Sequence, residues 1–438
     1  MKKPHIVIIG AGSATFSTTI VCDLCLKKEL AGSHVTFMDV DAHKLDLIDN
    51  LARRLARELH ADLTFSKTTS REAALEGADF IINMAQVGGH AYAEACRSLG
   101  TEHGYYRGSW LHYLRQIVFF GEVAADIARI CPSAWLIQSA NPVFEGCMTL
   151  GRTSPVKVIG LCHGHYGIRG VLRELGLDPD KGAGRAVGFN HWIWLSELQY
   201  EGEDIMPLLD RWIRDHASDD LSNQYDLGKA AIEQYRIYGR LPIGDTARMA
   251  AWWMHTDYPM KQKWFGEVGG MDSHVGWHKF LDRLEQKNQE VEQLAANPAG
   301  RIDSVFKLAP SSEQVVPIID SLTNNHQGIY QVNIPNAGQI IKGIPEDVVV
   351  ECQALIDGFG IHPVSEKPFP KNLMIKAMIP RWAYAELMVE AVRQHDKDLL
   401  VYYMLEDHRT RSYEQAANYI DAWLNMPGND VMKAYFMG

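Results

Sequence analysis

The chain has 438 residues, which is long enough for two or three domains that each bury a core. Its 46% hydrophobic and 22% charged residues are typical of an ordinary globular protein. A formal net charge of -11 and an isoelectric point near 5.9 argue against nucleic acid as a partner, because phosphate contacts need a basic surface. An anionic small molecule needs only a few local cations, so that class of ligand stays open.

The first residues, MKKPHIVIIGAGS, combine a basic tip with a short apolar run. The run is shorter than the core of a secretory signal and ends in a glycine turn, which favours a first β-strand. No apolar run in the chain approaches the roughly 18 residues that a membrane-spanning helix requires. We therefore expect a cytoplasmic protein without a membrane partner.

Short apolar segments alternate with helical ones up to about residue 160, which indicates a parallel sheet with helices on both faces. The strand candidates are HIVIIG (5–10), HVTFMD (34–39), ADFIINMA (78–85), AWLIQSA (134–140) and VKVIGLC (156–162). Between the second and third of these, AHKLDLIDNLARRLARELHADL has apolar residues at helical spacing. The sequence predicts an α/β protein in which residues 1–185 form a Rossmann-like, doubly wound domain.

The pattern changes in the second part of the chain. AVGFNHWIWLSELQY (186–200) predicts a pair of strands, and long helical stretches follow at about 225–300. Strand-like and turn-like sequence returns at 329–355, and 370–425 is strongly helical. We predict a C-terminal α+β domain over residues 186–438, packed against the first domain with a cleft between them.

Seven cysteines, an odd number, do not resemble a disulfide framework. Cys22 and Cys25 have the C-x-x-C spacing of a redox pair, but they lie in the predicted first helix, so we interpret them as buried helix residues. Cys162 is different, because it stands where a predicted strand ends, and ligands bind at strand ends in α/β sheets.

The segment GAGS (10–13) follows the first strand and opens the first helix. Gly10 permits a tight turn, Gly12 lets the backbone approach a pyrophosphate, and the amides from Ser13 onward belong to a helix N-terminus that attracts negative charge. The third glycine of the usual fingerprint is replaced by Thr15. Asp39 ends the second strand, where an acid accepts hydrogen bonds from ribose hydroxyls and disfavours a 2'-phosphate. This pattern predicts NAD rather than NADP; the alternative is a glycine turn without a cofactor.

Two further strand ends, NMAQVGG (83–89) and SANPV (139–143), place Asn83 and Asn141 beside the expected nicotinamide. The Asn141-Pro142 pair resembles the asparagine-proline turn of lactate and malate dehydrogenases, where the asparagine reaches cofactor and substrate. Asn-Pro is also an ordinary turn.

The segment GLCHGHY (160–166) brings a thiol and two imidazoles to the end of a strand, and GFNHWIW (188–194) adds Asn190 and His191. Thiolate and imidazole suit a transition metal, and a site with only Cys162 and His191 as protein ligands leaves positions open for substrate oxygens. A lone cysteine and a lone histidine this far apart are more often core residues.

The motifs together resemble glycoside hydrolase family four, the NAD- and manganese-dependent glycosidases. GAGS, Asp39, NP at 141, GLCHG at 160, FNHWIWL at 189 and YGRLPIGDTAR at 238 occur in that family's order, and NIPNAGQIIKGIPEDVVVE (333–351) is similar to its C-terminal segment. The resemblance covers most of the chain. The segment 100–120 departs from the glycine-rich loop expected there, so its substrate contacts stay open.

The resemblance implies a mechanism that needs no pair of catalytic carboxylates. NAD takes a hydride from C3 of the sugar, and a divalent metal, Mn²⁺ or another, stabilises the enediolate that forms when a base removes the C2 proton. The glycosidic oxygen then leaves, water adds, and the hydride returns.

The resemblance also implies roles for individual residues. Cys162 and His191 are the metal ligands, and Tyr238 is the C2 base, with Tyr235 as the nearest competitor. The remaining roles are support of the base or of metal-bound water by Asp245, protonation of the leaving oxygen by His163, and orientation of substrate hydroxyls by Asn141 and Asn190. The alternative for Tyr238 and Asp245 is a packed ring and a helix N-cap.

The residues after Cys162 indicate the substrate class. In the family, Cys-His occurs in enzymes that act on unphosphorylated α-glycosides, and Gly164 resembles the members that act on uronic acids. Four cationic side chains are candidates to hold a C6 carboxylate: His165, Arg107, Arg240 and Arg248. The alternative is that they pair with protein carboxylates or with the pyrophosphate of the cofactor.

We therefore expect an NAD- and metal-dependent α-galacturonidase, closest to the α-galacturonidase and α-glucuronidase type. An α-glucuronidase or a neutral α-glucosidase or α-galactosidase of the same family is the first alternative. Outside the family, the alternatives are a simple NAD-dependent dehydrogenase and a non-catalytic NAD-binding sensor. The resemblance suggests a homodimer or homotetramer.

Overall fold

In the computed structural model, which describes residues 3–216, 219–297 and 299–438, twelve strands form a single sheet. The strands are β1 (His5–Ile9), β2 (Ser33–Met38), β3 (Leu63–Thr68), β4 (Phe80–Asn83), β5 (Trp135–Gln138), β6 (Lys157–Gly160), β7 (Gly182–Phe189), β8 (Trp192–Tyr200), β9 (Glu203–Asp204), β10 (Gly328–Pro335), β11 (Val349–Asp357) and β12 (Gly360–Pro363). Their order is β3-β2-β1-β4-β5-β6-β10-β11-β7-β8-β9, and β12 pairs with β11.

Eighteen α-helices accompany these strands in the described part of the chain. They are α1 (Ala14–Leu26), α2 (Ala42–Glu58), α3 (Arg71–Leu75), α4 (Gly89–Glu102), α5 (His112–Ile130), α6 (Val143–Thr153), α7 (Gly167–Glu174), α8 (Met206–Asp215), α9 (Lys229–Tyr238), α10 (Thr246–Met249), α11 (Tyr258–Phe265), α12 (His274–Ala296), α13 (Val315–Asn324), α14 (Lys371–Leu373), α15 (Ile379–Gln394), α16 (Lys397–Leu405), α17 (Tyr413–Leu424) and α18 (Asp430–Met437). None of these helices combines the length and apolar character needed to cross a lipid bilayer.

The first six strands are parallel in the order 3-2-1-4-5-6, the order of the dinucleotide-binding fold. The five strands predicted in this part correspond to β1, β2, β4, β5 and β6, so the predicted Rossmann-like α/β class is confirmed. The edge strand β3 was not predicted, because its sequence LTFSKT mixes polar and apolar residues and follows a helical pattern directly. Buried apolar side chains of β1 and β2 pack against α1 and α2.

The remaining strands extend the same sheet in antiparallel fashion. β10 pairs with β6, β11 joins β10 to β7, and β7 and β8 form the predicted hairpin. The predicted domain boundary after residue 185 falls within β7, and the sheet continues across it. The division into residues 1–185 and 186–438 therefore stays a prediction.

The C-terminal helices pack on the helices of the parallel half. α15, α16, α17 and α18 share a buried cluster with α4 and α5, and α15 also contacts α6. This arrangement confirms the helical prediction for 370–425, and it brings C-terminal side chains to the carboxyl ends of β4 and β5. A large cleft lies there, which we call the central cleft.

Candidate active site

The turn between β1 and α1 is built by two glycines. Gly10 has φ +83°, and its N–H donates to the Met38 carbonyl oxygen at 2.9 Å. The Gly12 N–H donates to Asp39 Oδ2 at 2.8 Å, and the other oxygen of Asp39 accepts from the Asp41 N–H at 3.0 Å. Each carboxylate oxygen keeps a lone pair for a ribose hydroxyl. Ser13 is exposed at the N-terminus of α1, where the first helical amides are available to a pyrophosphate.

The two asparagines predicted beside the nicotinamide differ in position. Asn141 is exposed after β5 and lines the central cleft. Asn83 is fully buried, donates to Gln138 Oε1 at 2.9 Å and accepts from the Ala85 N–H at 3.2 Å. The Asn83 side chain therefore fixes the ends of β4 and β5, and it is not free to contact a cofactor.

His191 and Asp245 meet in the central cleft, and Cys162 lies within electrostatic range of Asp245. Cys162 follows β6, His191 occupies the turn of the β7–β8 hairpin with φ +59°, and Asp245 precedes α10. His191 Nε2 lies 3.7 Å from Asp245 Oδ2. The Cys162 thiol is near enough to Asp245 and Glu351 for both carboxylates to act on its pKa.

The electrostatics of this group favour a bound cation. Burial, and then the charges of Glu351 and Asp245, raise the pKa of Cys162 to about 12. Burial also raises the pKa of Glu351 to about 7. A divalent ion at Cys162 would offset the neighbouring negative charges and stabilise the thiolate, so the residues fit a metal. In the described residues, no set of three or more His, Cys, Asp or Glu side chains forms a metal site by itself. A site on Cys162 and His191 would be completed by other oxygens.

Asp245 carries a persistent negative charge. Burial opposes its ionisation, but the charges of Arg248 and His191 hold its pKa well below the usual range. Arg248 Nη2 lies 2.7 Å from Asp245 Oδ1, and the Tyr225 hydroxyl donates to the same oxygen at 2.6 Å. The carboxylate is thus ionised at neutral pH and held rigidly beside His191.

The central cleft has a volume of about 1140 Å³, which is large enough for more than a single sugar ring. Six of the predicted site residues line it: Arg107, Asn141, His191, Tyr238, Asp245 and Arg248. Its aromatic wall includes Tyr106, Trp110, Tyr113, Trp192, Trp252, Trp253, Trp277, Phe280 and Tyr384. Part of this wall comes from segment 100–120, in which Arg107 was the substrate contact that the sequence predicted.

Tyr238 is an unfavourable proton acceptor in this structure. Its side chain is 4% exposed and packs edge-on against Trp194, with ring centroids 5.1 Å apart. Burial raises its pKa, which is the opposite of what the predicted role as a base requires. Tyr235, the competitor, donates its hydroxyl to Asp210 and lies at a separate small pocket with that residue.

Four of the predicted catalytic and substrate residues, like the predicted metal ligand Cys162, lie outside the lining of the central cleft. His163 points to Glu313, with Nε2 3.3 Å from Oε2, and this contact raises its pKa. Burial lowers the pKa of His165 to about 4, so it is neutral at pH 7. Asn190 is buried and donates to Glu351 Oε2 at 3.1 Å. Arg240 follows the end of α9 and donates to the neighbouring Gly239 carbonyl oxygen.

The other two predicted cations line the cleft but are engaged by protein carboxylates. Arg107 forms a bidentate pair with Glu94, and both N–O distances are 2.8 Å. Arg248 pairs with Asp245, and its Nη1 lies 3.5 Å from Asp272 Oδ1. Both arginines therefore pair with protein carboxylates, which was the alternative to binding the substrate carboxylate.

The structure adds residues that the sequence did not single out. Lys261 is 1% exposed and donates to His255 Nδ1 at 2.9 Å and to Asp272 Oδ2 at 2.7 Å. Arg381 of α15 contacts Glu145 of α6 and lines the cleft. No motif marks these residues, because they come together from segments that are distant in sequence.

The parallel sheet, its strand order and the glycine turn before α1 define a dinucleotide-binding α/β protein. A lactate dehydrogenase from Eimeria maxima with NADH and oxamate shares this fold, with a TM-score of 0.54, 14% identity, and coverage of 90% of this chain and 96% of that one. The predicted likeness to lactate dehydrogenase is thereby confirmed at the level of the fold.

The chain belongs to family 4 of the glycosyl hydrolases. The family model matches residues 5–177, and the model of the family's C-terminal domain matches residues 186–410. The predicted family is confirmed, and with it the hydrolysis of glycosidic bonds as the general activity.

Named relatives differ in substrate. An α-galacturonidase of Lachnoclostridium phytofermentans is 24% identical over 90% of this chain and 89% of its own length. An α-glucosidase of Erwinia rhapontici is 28% identical over 96% of this chain and 98% of its own.

Solved structures show the same fold over nearly the whole chain. The Bacillus subtilis protein LplD has a TM-score of 0.83 and 21% identity, covering 96% of this chain and 99% of that one. A 6-phospho-α-glucosidase from gut microorganisms, in complex with NAD and Mn²⁺, has a TM-score of 0.78 and 19% identity, with 99% of both chains covered.

Proposed function

We propose that the protein is an α-galacturonidase that depends on NAD and a divalent metal, with small α-galacturonides as substrates. The observation that carries this proposal is the charge of the central cleft. Among the described residues that line it, seven are lysine or arginine and four are aspartate or glutamate, in a chain whose net charge is -11. Two of these cations, Arg97 and Lys376, form no ion pair among the described residues, and unpaired cations in the cleft of an acidic protein favour an anionic substrate.

The relatives support the uronide in particular. Several of them, including proteins from Lachnoclostridium phytofermentans and Bacillus subtilis, are named α-galacturonidases at 24% identity. At this identity the substrate of a relative does not transfer by itself. The proposal therefore combines these names with the charge of the cleft.

The cofactors would be held by residues at two neighbouring places. Gly10, Gly12 and Asp39 form the nucleotide end, and Asn141 lies where the nicotinamide half would meet the sugar. Cys162 and His191 would hold the metal. When bound, NAD supplies a hydride acceptor and donor, and the metal supplies Lewis acidity at the sugar oxygens.

Asp245 is the residue we propose as the C2 base, in place of Tyr238. It is ionised at neutral pH, lines the cleft and lies 3.7 Å from His191. Burial raises the pKa of Tyr238, so its hydroxyl is protonated at neutral pH and must first lose its own proton before it can accept one. The sequence-predicted acid His163 contacts Glu313 and lies outside the cleft lining, so we do not retain it as the proton donor to the leaving oxygen.

A neutral α-glucoside is the second candidate substrate, because the Erwinia rhapontici relative is the more similar of the two by identity and coverage. An α-glucuronide would satisfy the charge argument equally well. A simple dehydrogenase would accumulate NADH with substrate, whereas a glycosidase of this type recycles NAD.

The test is a panel of p-nitrophenyl glycosides with NAD, Mn²⁺ and a reductant. The panel contains the α-galacturonide, α-glucuronide, α-glucoside, α-galactoside and a 6-phosphoglucoside. We expect the α-galacturonide to have the highest kcat/KM and no net NADH to accumulate. Faster cleavage of a neutral or phosphorylated sugar would overturn the uronide proposal.

We also propose a cytoplasmic homodimer or homotetramer, on the basis of the family. Light scattering after size exclusion gives the molar mass in solution, and a monomer would contradict the proposed assembly.

A further inference from the structure

Most cations of the central cleft are neutralised by protein carboxylates. Five of them form ion pairs, namely Arg107 with Glu94, Arg248 with Asp245, Lys261 with Asp272, Arg381 with Glu145 and Arg409 with Asp407. A guanidinium or ammonium that is already paired contributes little to the binding of a further anion. The positive potential available to a substrate must come from the remaining cations.

Arg97 and Lys376 are the two cleft cations that form no ion pair within residues 3–216, 219–297 and 299–438. Lys376 is exposed at the mouth of the cleft, where water screens its charge. Arg97 lies on α4, and its Nη1 is buried without a hydrogen-bond partner. The two residues therefore offer very different binding strengths to an anion.

The surroundings of Arg97 leave N–H groups of its guanidinium available to a ligand. Its guanidinium carbon lies 3.8 Å from the centre of the Trp277 ring, so one face of the group is covered by an indole. Burial lowers the pKa of Arg97, and the adjacent positive charge of Arg107 acts in the same direction. The nearest carboxylates, Glu94 and Asp272, are bound by other cations. A buried charge without a counter-ion is costly, and a bound anion would relieve that cost.

Arg97 and the proposed reaction centre line the same cleft, with Tyr113 in electrostatic range of both. Tyr113 lines the cleft, and the charges of Arg97, Arg248 and Asp245 all act on its pKa, which burial raises. Tyr113 therefore lies in electrostatic range of Arg97 and of the Asp245 carboxylate beside His191. A sugar bound at His191 would be able to extend a substituent along the side of the cleft that Tyr113 and Arg97 line.

We propose that Arg97 is the substrate-specificity residue of this protein and binds the C6 carboxylate of the uronide. The proposal rests on the proposed function and assigns the carboxylate to a residue that no motif indicated. Arg381 also has guanidinium nitrogens without hydrogen-bond partners, but Glu145 neutralises it and Trp110, Phe144 and Trp192 surround it. A carboxylate and a guanidinium form two charge-assisted hydrogen bonds, and the same chemistry would hold a 6-phosphate.

The experiment compares Arg97→Gln with Arg393→Gln, a matched change at an exposed arginine outside the cleft lining. For each protein, kcat/KM is measured on the α-galacturonide, the α-galactoside and a 6-phosphoglucoside, and galacturonate binding is followed by calorimetry in the presence of NAD. In Arg97→Gln we expect a loss of about ten- to a hundredfold on the uronide and less than about threefold on the galactoside, as for one charged hydrogen-bonding partner. Arg97→Lys should retain part of the preference, and Arg393→Gln should match the wild type.

The outcomes separate this proposal from the proposed function. Equal losses on charged and neutral sugars, or unchanged preference for the uronide, would overturn the role of Arg97 while the α-galacturonidase assignment stands. If the wild type prefers the 6-phosphoglucoside and Arg97→Gln removes that preference, Arg97 is still the anion receptor and the uronide assignment is wrong. A wild type that prefers neutral sugars overturns both. Thermal unfolding and NAD affinity exclude misfolding as the cause of a loss.

Discussion

Cys162 is the cysteine whose surroundings differ from those of the other six. Those six are buried, whereas Cys162 is partly exposed beside the carboxylates of Glu351 and Asp245. Its thiol would ionise only with a cation to compensate those charges, because burial raises its pKa to about 12. As the proposed metal ligand, Cys162 would therefore link metal loading to activity.

We predict that Cys162→Ser abolishes glycosidase activity and leaves NAD affinity nearly unchanged. The serine hydroxyl is a far weaker ligand for a transition metal, whereas the nucleotide contacts lie at Gly10, Gly12 and Asp39. Metal content is measured by mass spectrometry and NAD affinity by calorimetry. Cys131→Ser, at a buried cysteine outside the site, is the control for loss of a thiol. An active, metal-responsive Cys162→Ser protein would contradict the metal assignment.

The second prediction at residue scale concerns the C2 base. We expect Asp245→Asn to reduce C2 proton exchange by about 10²–10⁴-fold, the usual contribution of a general base, while Tyr238→Phe retains most of it. The measurement is deuterium incorporation at C2 of the product in heavy water. Because Asp245 also pairs with the buried Arg248, thermal unfolding must show that the asparagine variant is folded. Loss of exchange in Tyr238→Phe alone would return the role to the tyrosine.

The β1–α1 turn is the element that we propose binds the pyrophosphate of NAD. At Gly10 the backbone has φ +83°, and a Cβ there would lie 2.5 Å from the Ala85 Cα after β4. Gly77 has a similar φ of +69°, but a Cβ built there meets no atom within 4 Å. An alanine would therefore meet the same unfavourable backbone conformation at both positions, but it would clash with a neighbouring segment only at Gly10.

We predict that Gly10→Ala destabilises the protein more than Gly77→Ala does. The left-handed backbone costs an alanine about 1–2 kcal/mol at either site. At Gly10 overpacking adds about 1–3 kcal/mol, and the shifted backbone weakens NAD binding. The free energy of unfolding from urea denaturation checks the first effect and calorimetry the second. Equal destabilisation by the two alanines would show that the approach of Ala85 is unimportant.

At the scale of the whole molecule, a buried ion pair joins the parallel half to the C-terminal helices. Arg381 Nη2 of α15 donates to Glu145 Oε1 of α6 at 2.5 Å, and both side chains are at most 5% exposed. Removing one partner of such a pair leaves a buried charge uncompensated. On the same helix, Arg393 forms an exposed pair with Glu390 at 2.6 Å.

We therefore predict that Arg381→Met lowers the free energy of unfolding by about 3–5 kcal/mol. Arg393→Met should cost less than about 1 kcal/mol, because water screens the exposed pair. Urea denaturation of both variants gives the comparison. A double variant, Glu145→Gln with Arg381→Met, should recover part of the loss, and a double variant less stable than Arg381→Met would argue against uncompensated charge as the cause.

The sequence by itself determined the nucleotide-binding half and the family. Strand periodicity, the GAGS turn and Asp39 are local patterns, and a local pattern is visible wherever the residues that make an element are neighbours in the chain. Cys162 and His191, the proposed metal ligands, could also be singled out from the sequence, because they stand at the end of a predicted strand and in a predicted strand pair. The edge strand β3 was not predicted from the sequence, because its mixture of polar and apolar residues lacks such a pattern.

Only the tertiary structure decided which side chains share the cleft. His163, His165 and Asn190 stand in the family motifs, but none of them lines the cleft: His163 contacts Glu313, Asn190 donates to Glu351, and His165 is neutral because burial lowers its pKa. Arg97 carries no motif, and its availability follows from where Glu94 and Asp272 are already bound. Whether a charge is free to bind a ligand depends on burial and on partners brought from distant segments, and these are properties of the folded chain.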